Sequence, residues 1–376
     1  MGEGVMKKTF ESIFQGVPVL VTGHTGFKGS WLSVWLNELG AKVIGYSLAP
    51  PTVPSNFGVS QLAQRVVDVR DDVRKLDTLC KTINEFKPKI VFHLAAQAIV
   101  RESYVNPKDT FDINVGGTVN ILEAIRRTDS VRAAVFITSD KCYENKEWIW
   151  GYREIDRLGG HDPYSSSKAM AELAISAYRQ SFFPPDKYEE HKVAIASTRA
   201  GNVIGGGDWA KDRILTDGMR ALMEGQIIKV RNPDFVRPWQ FVLEPLSGYL
   251  WLAAKLFQGN CQFADAWNFG PPEQLSISVR ELVQRLIEIW GAGDWQDVSS
   301  NQMPHEAGLL RLSWEKAANI LGWRPVYTWS EALSETVDWF KEYHSGESGA
   351  DMYATCVEQI RRYVNRAREL GIIWAL

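Results

Sequence analysis

Between Pro18 and Thr198, short apolar runs alternate with longer amphipathic stretches. The runs Pro18–Thr22, Lys42–Tyr46, Arg65–Val67, Lys89–Leu94 (KIVFHL), Ala133–Thr138 (AAVFIT) and Val193–Thr198 read as strands, the third ending at Asp68. Their apolar character runs on without a period of two, as in strands buried on both faces. Gly29–Leu39, Asp72–Phe86, Pro107–Arg127 and Pro163–Gln180 read as helices, and Gly40 caps the first. This alternation predicts a Rossmann-type doubly wound α/β fold, a parallel sheet with helices on both faces. After Asn202 the rhythm changes. Gly205 to Gly207 mark a loop, apolar stretches near Phe241 and Trp267 return to the sheet, and the chain from Ser278 onward is mostly helical. The expected division is a cofactor-binding domain over 12–204, joined by about 238–272. The smaller, mainly helical C-terminal substrate lobe takes 205–237 and 273–376. Ligands of such sheets lie beyond the carboxyl ends of the strands, so a cleft is expected between the lobes.

Composition narrows the function. The 376 residues are 45% hydrophobic and 23% charged, with a formal net charge of −3 and no basic block. Neither nucleic acid nor a membrane surface is an expected partner. No apolar run reaches the ~18 residues of a membrane span, and Met1 to Gln15 lacks an apolar signal core. Cys80, Cys142, Cys261 and Cys356 are too widely spaced for a disulfide framework or a zinc pair. They read as reduced thiols of a cytoplasmic protein. The six histidines have no ligand spacing, so no metal is expected. The 15 tryptophans follow no period and read mostly as packing, with one or two available to line a cleft.

The first strand runs into Thr22-Gly23-His24-Thr25-Gly26-Phe27-Lys28-Gly29. Glycines in the G-x-x-G-x-x-G spacing, between a strand and a helix, allow a tight turn and close approach of a pyrophosphate to the helix N-terminus. Asp68 stands where an adenine contact is expected, or else as a carboxylate near a helix N-terminus. An acidic residue normally ends the second strand and binds the adenosine ribose. Here the strand ends Gly45-Tyr46-Ser47, and no arginine obviously replaces the acid, so NAD and NADP both stay open. His24 and Lys28 bring basic groups to the turn, either attracting the pyrophosphate or crowding it.

Tyr164-Ser165-Ser166-Ser167-Lys168 opens a helix and sets Tyr164 and Lys168 on one face at i and i+4. A neighbouring ammonium and a positive nicotinamide ring would lower the phenol's pKa from about 10. Tyr164 then takes a proton from a sugar hydroxyl as hydride leaves the same carbon. Thr138-Ser139-Asp140-Lys141-Cys142-Tyr143 ends the AAVFIT strand. Ser139 can bond the oxygen that Tyr164 deprotonates, and Asp140 and Lys141 add an acid and a base there. Elsewhere such a pair would read as solvated loop charges.

TGHTGFKGSWL, VFHLAAQ, TSDKCYEN, YSSSK and RAGNVIGGGDW resemble the nucleotide-sugar branch of the extended short-chain dehydrogenases/reductases. Within it the chain is similar to the 4,6-dehydratases of CDP-D-glucose, which carry Ser-Asp-Lys where other 4,6-dehydratases have Thr-Asp-Glu. The resemblance runs from about Gly16 to Trp323 and includes Pro304-His305-Glu306-Ala307. It implies NAD as cofactor and a product, CDP-4-keto-6-deoxy-D-glucose, on the route to 3,6-dideoxyhexoses of the O-antigen and other cell-surface polysaccharide. It implies cofactor contacts from Gly23, His24, Thr25, Gly26, Phe27, Lys28, Gly29, Asp68, Val69, Leu94, Ala95, Ala96, Gln97, Asn114, Thr138, Tyr164 and Lys168. Ser139, Asp140, Lys141, Tyr164 and Lys168 become the catalytic set, with Asp140 as acid for the C6 hydroxyl and Lys141 as base for the C5 proton. Asn202, Arg213, Arg237, His305 and Glu306 become substrate contacts, and Trp209 and Trp239 candidates to stack on the base. A homodimer or homotetramer built on the Pro107–Arg127 and Pro163–Gln180 helices is implied as well. Two rivals are a nucleotide-sugar 4-epimerase, which needs no acid at C6, and a cofactor-binding redox sensor, which needs no Tyr164.

Overall fold

The computed structural model describes residues 8–271, 277–299, 310–346 and 351–376. Six strands, β1 (Pro18–Thr22), β2 (Lys42–Ser47), β3 (Val67–Arg70), β4 (Ile90–His93), β5 (Ala133–Ile137) and β6 (Ala194–Arg199), join Ala266–Asn268 in one sheet. Every pairing is parallel, and the order from one edge is β3, β2, β1, β4, β5, β6, Ala266–Asn268. The strand order reverses between β1 and β4, and a crevice opens there at the strands' carboxyl ends.

Period-two geometry sends alternate residues to opposite faces. Leu20, Ile44, Val91, Phe136 and Ile195 face one layer of helices. Val19, Val21, Phe92, Val135 and Ala196 face the other, which holds the Phe27–Glu38 and Leu243–Phe257 helices. Both faces are dry, which is why the strands read as unbroken apolar runs. Truncating a side chain such as Leu20 to Ala would cost about 2–5 kcal/mol.

Several expectations shift. The stretch at Trp267 does rejoin the sheet, beside β6. Gln240–Phe241 instead pairs with Val203–Ile204 in a two-stranded sheet of its own. The third strand starts at Val67 and runs to Arg70, so Asp68 lies inside it. The next helix starts at Leu76, because Asp72 accepts from the backbone and guanidinium of Arg74 and holds a turn there. Pro107–Arg127 is three segments: α-helix at Pro107–Phe111, a π turn at Asp112–Gly116, and α-helix at Gly117–Arg126. Gly117 lies against Val73, where an added Cβ would come within 2.8 Å of a methyl group.

The last helix, Tyr353–Glu369, returns to the first. The Tyr353 hydroxyl donates to Glu38 and accepts from Asn37, both at 2.8 Å. Trp374 stacks on Phe10 at 5.0 Å and meets Trp35 edge-on. Among the described residues no helix is long and apolar enough to cross a membrane.

Candidate active site

The glycine turn is a cradle that side chains would fill. A Cβ on Gly29 would lie 2.1 Å from the Gly23 carbonyl oxygen, and one on Gly23 2.7 Å from the Ala95 nitrogen. Gly26 caps the Phe27–Glu38 helix without a side chain, leaving its first N–H groups to face the cleft. One continuous cavity runs from Ser47 and Asp71 past Gly23, Thr25, Gly26, Phe27, Lys28 and Gly29 and along Leu94 to Gln97. It reaches Thr138, Ser139, Asp140, Lys141, Tyr164 and Lys168, then Asn202, Arg213 and Arg237 in the second lobe. Its shape and its glycine cradle fit an extended dinucleotide beside a second ligand.

The catalytic tip joins β5 to the Pro163–Ser181 helix. Asp162 caps that helix, its carboxylate accepting from the Ser165 N–H at 2.9 Å, and Pro163 occupies the first turn. Tyr164 and Lys168 therefore emerge at a fixed height beside Ser139. The Ser139 hydroxyl lines the cleft beside Tyr164 and works against the rise in the phenol's proton affinity. It also donates to Asp140 Oδ1 at 3.0 Å and accepts from the Lys141 N–H. The Asp140 carboxylate fits only because residue 201 is glycine, where a Cβ would sit 1.9 Å from Oδ2.

Electrostatics here differ from the sequence reading. Burial pushes the Tyr164 phenol up to about 12, and Asp140 adds to the rise. Ser139 and the Arg213 guanidinium oppose it. Lys168 Nζ approaches the Ile137 carbonyl at 3.5 Å, and burial brings it down to about 8 against the pull of Glu172. Lys28 reaches the same end of the cleft, 5.7 Å over the Tyr249 ring. Burial, then Lys168 and Arg213, push its ammonium down to about 7.

Four expected cofactor contacts stand behind the wall of the cleft rather than on it. His24 is fully buried, turns its ring toward Gly45 and donates from Nε2 to Asp68 Oδ1 at 2.8 Å. Burial lowers its pKa, so it is neutral at neutral pH and brings no charge to a pyrophosphate. Asp68 is spent on His24 and Arg70, and Val69 lies beside it in the strand. Asn114 holds the Gln97 carbonyl at 3.0 Å and the Ser167 hydroxyl at 2.8 Å, tying two cleft elements together. Trp209 and Trp239 both line the cleft but are largely buried, and Trp209 packs edge-on against Phe340 and Tyr343. Asn202, Arg213 and Arg237 line the cleft; Arg213 is paired with Asp208 at 2.5 Å, and Arg237 lies over the Phe235 ring. His305 and Glu306 lie outside the described residues.

The sequence reading passed over the support behind the tip. Glu172, one turn after Lys168, accepts from Thr138 at 2.5 Å, Ser197 at 2.7 Å and Arg199 at 2.8 Å. Arg199 also donates to the Tyr143 hydroxyl at 2.6 Å. This buried cluster ties the catalytic helix to the ends of β5 and β6. Its signal in the sequence is a charged residue closing the strand β6.

The model of the family described as GDP-mannose 4,6 dehydratase matches residues 20–336. The chain belongs to that family. Among its members this chain is similar to the CDP-glucose 4,6-dehydratase of Salmonella typhimurium, 48% identical over 94% of this chain and 98% of the relative. The UDP-glucose 4-epimerase of Mycolicibacterium smegmatis is 26% identical over 86% of this chain and 98% of its own. The solved dTDP-glucose 4,6-dehydratase of Bacillus anthracis, in complex with NAD, shares the fold with a TM-score of 0.71 and 22% identity. It covers 87% of this chain and 97% of its own. The UDP-glucose 4-epimerase of Thermotoga maritima does so at 0.73 and 22%, over 87% and 99%.

Proposed function

We propose that this family member is a lyase that converts CDP-D-glucose to CDP-4-keto-6-deoxy-D-glucose and water, with NAD as resident cofactor. The observation that carries the proposal is the Asp140–Lys141 pair, placed in one cleft with Ser139, Tyr164 and Lys168. A chain 48% identical to a CDP-glucose 4,6-dehydratase supports the nucleotide and the cofactor cycle. When bound, NAD would accept hydride from C4 and return it at C6.

With the positive nicotinamide ring in place to bring its phenol down, Tyr164 would take the proton of the C4 hydroxyl while Ser139 holds that oxygen. The resulting ketone acidifies the C5 proton, which Lys141 removes. Asp140 protonates the departing C6 hydroxyl, water leaves, and Lys141 gives a proton back to C5 as C6 is reduced. Lys168 and Thr138 belong to the nicotinamide side, and the glycine turn with Leu94 to Gln97 holds the rest of the cofactor. Asn202, Arg213 and Arg237 take the sugar diphosphate, where a guanidinium fork suits two phosphates. His305 and Glu306 remain proposed contacts to the pyrimidine or ribose. The cofactor is assigned to 12–204 with about 238–272, and the nucleotide sugar to 205–237 and 273–376.

We also assign the protein to the cytoplasm, in keeping with its four free cysteines. We assign a homodimer through the Pro107–Arg126 and Pro163–Ser181 region, where Met170 and Leu173 are exposed one helical turn apart. A homotetramer is the next state that light scattering would distinguish. The pathway assigned is that of 3,6-dideoxyhexoses for O-antigen and other cell-surface polysaccharide.

Turnover of a panel of nucleotide diphosphoglucoses, read by a 4-keto product that absorbs strongly in alkali, tests the activity. CDP-glucose should give that product fastest. A C4 epimer without a keto product would make the protein an epimerase. If Lys141→Ala exchanged the C5 proton of the 4-keto intermediate at the native rate, Lys141 would not be the base.

A further inference from the structure

Arg70 is the cation nearest the end of β2, and it is not available to a ligand. The parallel register of β2 and β3 sets Arg70 directly opposite Ser47, the last residue of β2. The Arg70 Nη1 donates to the carbonyl of Leu48, the next residue, at 2.9 Å. Ser47 and Leu48 both line the cleft; Arg70 and Asp68 stand just outside it. In a dinucleotide fold this strand end meets the adenosine ribose, and an arginine there is what accommodates a 2′-phosphate. The chain thus has the right cation within reach of the right place.

Asp68 takes that cation away. Its carboxylate accepts from Arg70 Nε and Nη2, each at 2.8 Å, a two-pronged pair. The Nε2–H of buried His24 fixes the same carboxylate from the other side at 2.8 Å. Phe57 lies against both partners, 4.8 Å below the guanidinium and edge-on to the His24 ring. The remaining cations of this end are committed in the same way: Arg74 to Asp72 at 2.6 Å and Lys75 to Asp71 at 2.8 Å. Asp71 and Asp72 themselves line the cleft.

We propose that Asp68 makes the cleft select NAD over NADP by holding the Arg70 guanidinium away from the place of a 2′-phosphate. This rests on the reading above that the cleft binds a nicotinamide dinucleotide, and it adds the residue that sets the choice. In this choice Asp68 acts through Arg70, so it is a positioning residue. Replacing its carboxylate by an amide keeps the shape and an oxygen for His24. The amide nitrogen then faces Arg70 Nη2, donor against donor, and the ion pair is gone. The freed arginine can turn toward the ribose.

Direct binding of NAD and NADP to the purified protein, by calorimetry, separates the outcomes. The wild type should bind NAD more tightly than NADP. Asp68→Asn should improve the NADP-to-NAD affinity ratio at least tenfold, and rising salt should shrink the gain. The double variant Asp68→Asn/Arg70→Met should lose it, because the guanidinium is the group released. Asp68→Ser serves if the amide variant melts early. An unchanged ratio in an Asp68 variant that still binds NAD overturns the proposal, as does a gain that survives loss of Arg70. A wild type that binds neither dinucleotide would instead overturn the functional reading.

Discussion

The two ends of the cleft use charge in opposite ways. At the adenosine end every described cation has its own carboxylate: Arg70 with Asp68, Arg74 with Asp72, Lys75 with Asp71. At the catalytic end Lys168 is buried and Lys28 half-buried, neither with a carboxylate in contact, and their pKa values fall to about 8 and about 7. Tyr164 moves the other way, to about 12. Paired charges hold loops in place and reinforce one another: Asp71 and Asp72 are held below, and Arg74 and Lys75 above, their ordinary values. Buried, unpaired ones sit close to the range where a proton can be moved. A third arrangement lies behind the tip, where Glu172 and Arg199 are buried and paired at once.

The largest effect belongs to the catalytic end. Tyr164→Phe should lower turnover by about 100- to 10,000-fold, the usual worth of a general acid–base group. The folded protein should survive, as judged by an unchanged thermal melt. A variant with near-native turnover would erase the contrast between the two ends and revive the redox-sensor reading.

Next comes the buried pair. Glu172→Ala leaves Arg199 charged and alone, and should cost about 3–5 kcal/mol of stability in urea unfolding. It should also loosen Thr138 and so slow turnover. A loss no larger than that of a surface pair would mean that the cluster is not the anchor of the tip.

The pH dependence sharpens the comparison, because activity and stability should run in opposite directions. Lys168 acts as an ammonium, so turnover should fall as pH rises through about 8. Its folded pKa lies below the ordinary 10.5, so between about 8 and 10.5 the unfolded chain binds more protons than the native one. Stability from this group therefore rises with pH over that window. Rate and melting profiles that decline together there would contradict the assignment. The smallest effect is expected at the adenosine end: Arg74→Ala removes a partly exposed pair and should cost no more than about 1 kcal/mol.

Much of this was legible in the chain, for physical reasons. Strands buried on both faces leave apolar runs, and β1, β4, β5 and β6 were found within about two residues. β3 is an edge strand with Val67 exposed, so its apolar signal is weak and its limits were misjudged. The glycine turn and Tyr164–Lys168 were legible because their spacing is local. His24, Asp68 and Asn114 were assigned to the cofactor from position along the chain, yet side-chain direction turns them behind the wall. Arg70 went unnoticed because its place beside Ser47 comes from strand register, which no local pattern encodes. Gly201 was legible as a glycine but not as the space that admits Asp140.

The return of the last helix to the first has a consequence for synthesis. Trp35 and Phe10 are dry only when Trp374 and Tyr363 have arrived. While the ribosome is still extending the chain, the cofactor cradle exists as sequence but its supporting helix lacks one wall. The helix that follows the glycine turn is thus completed by side chains that lie far from it in sequence.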